Sequence, residues 1–374
     1  MGETAGQITS RKRILFFVPA FKGGSGGPER AIAVLLRSLD HDRYECHLAL
    51  AQTGHAYLEE IPHCVAVHQL QVSRMRYALP GILRLVWRLR PQTILATVSY
   101  LNAMVIIGQS FFPRGIKLLL REATTPSAFI EKDTHYPRLW SWLYRRLYPR
   151  AERIICLSDS VLEDMALHFG IPREKLVRIY NPVEIKTLRQ LAAAQGNPYR
   201  ESGPHLVTAG RLRHEKGVDL LLEAMSGVIK RFPGVRLAIL GEGPLEAELK
   251  AQASALKVAH AIDFLGFQPN PWSYIKHADL FVLASRFEGL PNVVLESLAL
   301  GTPVIAADCP GGIREICRSG APIKLVPSES PDGLAEGIIA ALTQKTNSSI
   351  ASEKIECLKD FEAEQIAAEY SRLF

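Results

Sequence analysis

Short apolar runs alternate with amphipathic stretches along most of the chain. RILFFVPA (13–20), CHLALAQ (46–52), TILATVS (93–99), IKLLLRE (116–122), RIICLSD (153–159) and VRIYNPVE (177–184) have the length and density of buried strands. Segments with helical spacing lie among them: RAIAVLLRSL (30–39), LPGILRLVWRLRP (79–91) and SVLEDMALHFG (160–170). The register loosens over IKTLRQLAAAQGNPYRESGPH (185–205), which reads as a linker. Alternation then restarts with the strands HLVTAGRL, VRLAILGEG, IDFLGF, LFVLAS and PVIAAD, separated by the helices GVDLLLEAMSGVIKRF, PLEAELKAQASAL and PWSYIKHA. Strands this uniformly apolar belong to parallel sheets covered on both faces. Two such series predict an α/β chain of two Rossmann-like domains facing a central cleft. Residues 1–187 form the first domain, 188–204 the linker and 205–357 the second. Ligands of such sheets bind beyond the carboxyl ends of the strands, which places the expected site in the cleft.

The stretch RFEGLPNVVLESLALG (286–301) adds a chemical question to this pattern. Asn292 is a candidate N-cap and Gly301 a candidate left-handed terminator. Val293, Val294, Leu295, Leu298, Ala299 and Leu300 leave almost no polar face between them, so the helix is expected to be buried. Glu296 then sits in a core element and Glu288 just before it. A buried carboxylate needs hydrogen-bond donors, from protein or from ligand.

Composition narrows the class. The chain has 374 residues, 47% hydrophobic and 22% charged, enough for two ordinary cores. Its six cysteines form no CxxC pair, which argues against zinc and a disulfide scaffold and suits a reducing cytosol. No apolar segment follows the basic residues of MGETAGQITSRKR, so no signal peptide is expected. Residues 91–113 are uncharged but carry Gln92, Thr93, Ser99, Asn102 and Gln109. They read as a strand and a buried helix rather than a membrane span.

Charge is uneven. Residues 1–190 hold 26 Lys and Arg against 16 Asp and Glu, whereas the remainder holds 18 against 22. Such an asymmetry points to a polyanion or an acidic membrane surface near the first half. Arg84, Arg88 and Arg90 lie among apolar residues of LPGILRLVWRLRP. In YPRLWSWLYRRLYPRAER, Trp140, Trp142, Tyr144 and Tyr148 alternate with Arg138, Arg145, Arg146, Arg150 and Arg153. Aromatics with arginines suit an anionic membrane interface, and equally a surface helix with one packed face. No nucleic-acid motif accompanies the charge, so nucleic acid is not an expected partner.

Two loops at strand ends carry candidate chemistry. Gly23, Gly24, Gly26 and Gly27 of KGGSGGPER let the backbone approach a ligand ahead of a helix N-terminus, although the spacing is not GxGxxG. In AGRLRHEKG, Arg211 and Lys216 are placed to reach a phosphate, with solvated loop charge as the plain alternative.

AGRLRHEKG, LGEGP, FEGLPNVVLESLALGTPVIAAD and PGGIREI, in this order and spacing, resemble the C-terminal domain of family 4 retaining glycosyltransferases of the GT-B fold. FVPAFKGGSGGPERA resembles their N-terminal acceptor loop and VRIYNPVE the approach to their interdomain linker. The resemblance is strong from about Gly210 to Glu315 and weaker over about 40–150. It implies that residues 358–374, containing FEAEQIAAEYSRLF, form a helix crossing back to the first domain.

The resemblance also implies roles. Arg211 and Lys216 bind the donor diphosphate, Glu296 holds the ribose hydroxyls and Glu288 lies against the transferred sugar. Gly289, Leu290, Pro291 and Asn292 join Gly26 and Gly27 on the donor side, where N–H groups at a helix N-terminus suit phosphate. Negative charge developing on the leaving oxygen is met by fixed cations and amides, so metal independence is expected and no cofactor beyond the donor itself. Retention through a covalent carboxylate and through a front-face route both remain open. Many relatives carry a histidine after the strand matching LLLREATTPS; here Ala123 follows Arg121 and Glu122. Glu122 is therefore the candidate to assist the acceptor chemically, with Arg121 and Asn102 as acceptor-binding residues. An Arg–Glu pair closing the strand end is the alternative, and His135 reads as a loop residue.

The expected activity is transfer of a sugar from a nucleotide-diphosphate donor, a UDP-sugar ahead of a GDP-sugar. The expected acceptor is a glycan or polyprenyl-linked glycan of surface polysaccharide or glycolipid assembly. The protein is expected in the cytoplasm, peripheral on the inner face of the membrane. The competing readings are a nucleotide-sugar epimerase or phosphorylase of the same fold, a nicotinamide-dependent oxidoreductase, disfavoured by the missing GxGxxG, and a non-catalytic sugar-nucleotide binding module.

Overall fold

The computed structural model describes residues 11–20, 27–52, 58–72, 74, 77–318, 320–345 and 356–374. Seven strands build the first sheet: β1 (Lys12–Val18), β2 (Tyr44–Leu50), β3 (Ala66–Gln69), β4 (Thr93–Thr97), β5 (Lys117–Glu122), β6 (Arg153–Cys156) and β7 (Leu176–Arg178). Six build the second: β8 (His205–Ala209), β9 (Arg236–Leu240), β10 (Ile262–Gly266), β11 (Leu280–Leu283), β12 (Val304–Ala307) and β13 (Ile323–Val326). Their orders are β3-β2-β1-β4-β5-β6-β7 and β10-β9-β8-β11-β12-β13, and every pairing is parallel. Ile14 to Val18 are wholly buried, as expected for a central strand covered on both faces.

The strand order reverses between β1 and β4 in one sheet and between β8 and β11 in the other. A crevice opens at such a switch point. The loops that leave β8 and β11 are AGRLRHEKG and the Glu-bearing segment, and the helix Gly27–Ser38 follows β1. The topology thus delivers both loops to one end of the second sheet.

Two edge strands and the linker depart from the sequence reading, and the helices Pro126–Lys132, Ile313–Arg318 and Pro331–Lys345 are additions to it. The edge strands β3 and β13 were not expected; β3 is AVHQ and largely exposed, so no apolar run announces it. The expected linker begins as a helix, Ile185–Ala194, which buries Leu188 and Ala192 against the second domain and donates from Arg189 Nε to the Ala299 carbonyl at 2.9 Å.

The chain crosses between domains twice, side by side. Val183 N–H donates to the Phe361 carbonyl at 2.8 Å, and Val183 bridges Glu362. Beyond that point the helix Ala363–Ser371 packs on Gly27–Ser38 of the first domain. Phe374 meets Phe16 edge to face at 6.0 Å, and Tyr44 Oη donates to the Ser371 carbonyl at 3.3 Å. Residues 93–108 are β4 and the buried helix Ser99–Gly108, and no helix among the described residues is long and apolar enough to cross a membrane.

Candidate functional site

The loops after β8 and β11 are fastened to one another. Gly217 has φ +62°, and a Cβ there would come 2.0 Å from the Ala284 carbonyl oxygen, so only glycine permits this approach. Arg286 donates to the His214 carbonyl at 2.8 Å and to both oxygens of Asp219 at 2.8 and 2.5 Å. Burial alone would raise the Asp219 carboxyl, but the Arg286 guanidinium brings it below its ordinary value.

This bracing brings Lys216 and Glu288 together. Lys216 Nζ lies 2.6 Å from Glu288 Oε1, and Ser285 Oγ donates to the same oxygen at 2.7 Å. Arg211 is exposed, and among the described residues no hydrogen bond engages its guanidinium. The N–H groups of Gly289 and Leu290, just ahead of the helix Asn292–Ala299, also lack a partner among the described residues. Two cations, two amides and a helix N-terminus therefore converge on one end of the second sheet, a set suited to an anionic group.

Glu296 departs from expectation. Ligand hydroxyls were expected to satisfy it, but protein donors already hold both oxygens: Arg30 Nη1 reaches Oε1 at 3.1 Å and Trp272 Nε1 reaches Oε2 at 3.0 Å. Arg30 belongs to the first domain and stacks 3.9 Å above the Trp272 ring. The helix is buried through Val294, Leu295, Ser297, Leu298 and Ala299, but Glu296 stands at its edge. Arg30 escaped the sequence reading because a charge in a first helical turn ordinarily faces water; its position directly after the Gly-rich turn was the available signal.

Asn292 is corrected as well. It makes no side-chain cap and is the first helical residue, with Pro291 at the N-cap position. Its Nδ2 donates to the Gly27 carbonyl at 2.9 Å and its Oδ1 accepts from Asn181 at 2.5 Å, so it joins the domains. Asn181 Oδ1 in turn accepts from Arg121 at 2.5 Å. Gly301 does adopt the left-handed conformation, φ +83°. Gly26, with Gly23 and Gly24, lies outside the described residues.

The acceptor residues read from the sequence are not at the cleft surface. Arg121 and Glu122 are successive on β5 and point to opposite faces. Glu122 is 0% exposed and accepts from Asn102 Nδ2 at 2.8 Å, Ser99 Oγ at 3.0 Å, Tyr148 Oη at 2.6 Å and Tyr144 Oη at 3.2 Å. Burial raises its carboxyl although these four bonds oppose the shift. Asn102 is equally buried. Both are buried in the core of the first domain, and among the described residues no Arg121–Glu122 pair closes the strand. Arg121 is buried at the domain boundary, and its Nη1 has no partner among the described residues. Near it Glu29, missed in the sequence, has a buried Oε2 without a partner among the described residues; burial raises its carboxyl against the charges of Arg211 and Arg121.

The aromatic-basic segments divide by face. In Pro137–Arg146, Trp140, Leu143 and Tyr144 pack inward, whereas Arg138, Leu139, Trp142, Arg145 and Arg146 face solvent. In Leu79–Leu89, Ile82, Leu85 and Val86 are buried, and Arg84, Trp87 and Arg88 are exposed. Trp87 is 51% exposed and Trp142 52%.

Comparison with known proteins follows the same division. The families described as Glycosyltransferase Family 4 and Glycosyl transferases group 1 match residues 25–187 and 192–356. A Campylobacter jejuni protein, N-acetylgalactosamine-N,N'-diacetylbacillosaminyl-diphospho-undecaprenol 4-alpha-N-acetylgalactosaminyltransferase, is 30% identical over 325 residues, 84% of this chain and 86% of that one. Sucrose-phosphate synthase from Thermosynechococcus elongatus superposes with a TM-score of 0.82 at 17% identity, covering 97% of this chain and 98% of that one. Anabaena HepE, in complex with UDP and glucose, gives 0.77 at 20% identity, over 97% and 99%.

Proposed function

The chain belongs to the family 4 glycosyltransferases of the GT-B fold, and from that premise we propose that it moves a sugar, with retention of configuration and without a metal, from a UDP-sugar to a lipid-linked glycan. The observation that carries this reading is the Lys216–Glu288 pair, 2.6 Å apart at the switch point of the second sheet beside Arg211 and the free amides of Gly289 and Leu290.

As the bond from the anomeric carbon to the diphosphate breaks, charge grows on the leaving oxygen. Lys216, held by Glu288, and the two amides, with Arg211 reaching in from the same loop, would stabilise such charge. Glu288, its Oε1 engaged by Lys216 and Ser285, balances this positive cluster beside the sugar instead of attacking it. The acceptor oxygen then bonds to the anomeric carbon on the face the diphosphate leaves, and the departing phosphate oxygen takes the hydroxyl proton. Glu296 receives the ribose hydroxyls on the lone pairs that Arg30 and Trp272 leave free. UDP as the donor nucleotide is supported by the HepE complex, at the level of shared fold.

The acceptor assignment draws on the Campylobacter relative, whose name specifies a diphospho-undecaprenol substrate. It also draws on the basic first domain and its exposed Trp87, Trp142 and arginines. Each such cation near an anionic bilayer contributes about 1 kcal/mol, so several hold a protein on the surface reversibly. The site of action is then the inner face of the membrane. The test is a screen of UDP- and GDP-sugars for donor hydrolysis and thermal stabilisation, followed by transfer to a polyprenyl-diphosphate sugar. An α-donor giving an α-linked product, in the presence of a chelator, is expected; an inverted anomer or strict metal dependence overturns the mechanism.

A further inference from the structure

Arg30 is the only cation shown bonded to Glu296 among the described residues, and it comes from the opposite domain. Its guanidinium is clamped between the Glu296 carboxylate and the Trp272 ring, 3.9 Å from the ring centroid. Both ion-pair side chains are 12% exposed, so water competes little for the contact. Trp272 is itself buried and holds the other oxygen. The carboxylate plane is thereby set by one donor on each oxygen. Each carboxylate oxygen accepts two hydrogen bonds. One acceptor position therefore remains on Oε1 and one on Oε2, a spacing that matches two vicinal hydroxyls.

We infer that Arg30 is a positioning residue for the donor: through Glu296 it orients the carboxylate that receives the ribose hydroxyls, so that ribose recognition by the second domain is complete only when the first domain is docked. The inference rests on the reading of Glu296 as the ribose acceptor. It adds that half of the orientation of this group is supplied across the cleft. Asn292 points the same way, since its bond to the Gly27 carbonyl holds the start of the Arg30 helix against the start of the Glu296 helix. Arg30 does not touch the nucleotide; it lowers the disorder of the group that does.

The experiment measures calorimetric Kd values of UDP and GDP, and of their 2′,3′-dideoxy counterparts, for the wild type, Arg30→Met, Arg30→Lys and Glu296→Gln. Hydroxyls bonded to a fixed carboxylate are expected to improve wild-type affinity about tenfold or more for the nucleotide that binds. Arg30→Met keeps the stem over Trp272 but loses the donors, and the ribose advantage is expected to fall to about threefold or less, close to that of Glu296→Gln. Arg30→Lys, with one donor at shorter reach, is expected to fall between and carries the test if the Met variant does not fold. With a sugar donor, KM rises more than kcat falls in both variants. A wild type that favours ribose, with Arg30 variants that keep the full preference, overturns the role of Arg30 and leaves the Glu296 reading standing. A wild type indifferent to the hydroxyls of both nucleotides overturns the Glu296 reading, and this inference with it.

Discussion

Gly289 meets Ala123 so closely that a Cβ on Gly289 would lie 2.3 Å from the Ala123 carbonyl oxygen. Next to this contact Thr125 Oγ1 donates to the Glu288 carbonyl at 2.7 Å. The backbone of the first domain therefore seats the peptide that carries the site of the second. Gly289→Ala is expected to hold the domains apart without unfolding either. A displacement near 1 Å in the reacting groups costs about a hundredfold in rate, so kcat/KM should fall by about that factor and the scattering radius should rise. Wild-type turnover with an unchanged scattering profile would show that the loop yields instead.

Lys216→Met removes a cation that the leaving diphosphate needs. Loss of one such donor costs about 10²–10³ in kcat. The same change strips Glu288 of its charged partner, leaving Ser285, and a buried group deprived of a partner costs about 1–3 kcal/mol of stability. Progress curves and urea melts on one preparation separate the two effects. A melt shifted as expected beside unaltered kcat would make Lys216 structural.

Glu122→Gln tests the removal of that carboxyl from the chemistry, and turnover is expected to stay near wild type. Burial holds the native carboxyl above its ordinary 4.5, so the folded chain keeps a proton that the unfolded chain has released. The associated stability is present below the unfolded pKa and is lost as pH rises through the raised native one. Glutamine does not titrate, so the variant should gain on the wild type in urea melts as pH rises above the ordinary carboxyl range. A difference independent of pH would mean that this carboxyl titrates as it does in the unfolded chain.

The exposed faces of Leu79–Leu89 and Pro137–Arg146 predict sedimentation with anionic vesicles, weakening as salt is added because the Debye length shortens from about 10 Å at 0.1 M to about 3 Å at 1 M. Replacing Arg84, Arg88, Arg145 and Arg146 with glutamate should abolish it while hydrolysis of donor persists. A protein that stays in the supernatant at low salt has no such surface.

The strand-helix alternation was legible because central parallel strands carry unbroken apolar runs, Ile14–Val18 in β1 and Leu280–Leu283 in β11. Edge strand β3 was not, since AVHQ needs no apolar run where one side is open. Lys216 and Glu288 were legible as a pair of loops with charges; their 2.6 Å contact depends on Gly217 and Arg286, which only the fold brings together. Glu122 was misjudged because a sequence does not tell which face of β5 a residue takes. Inward it met Tyr144 and Tyr148, which belong to the packed face of their segment. Arg30 was missed because its partner lies 266 residues away.

The packing of Phe374 against Phe16, with Tyr44 bonded to Ser371, also bears on how the protein is made. The ribosome delivers residues 11–184 before residues 363–374, which cover part of their apolar surface. The basic, aromatic-bearing domain is thus synthesised ahead of the second domain and completed only after it. Until then the strip around Phe16 and Tyr44 stays uncovered, a stretch of nascent chain that a holding chaperone would recognise.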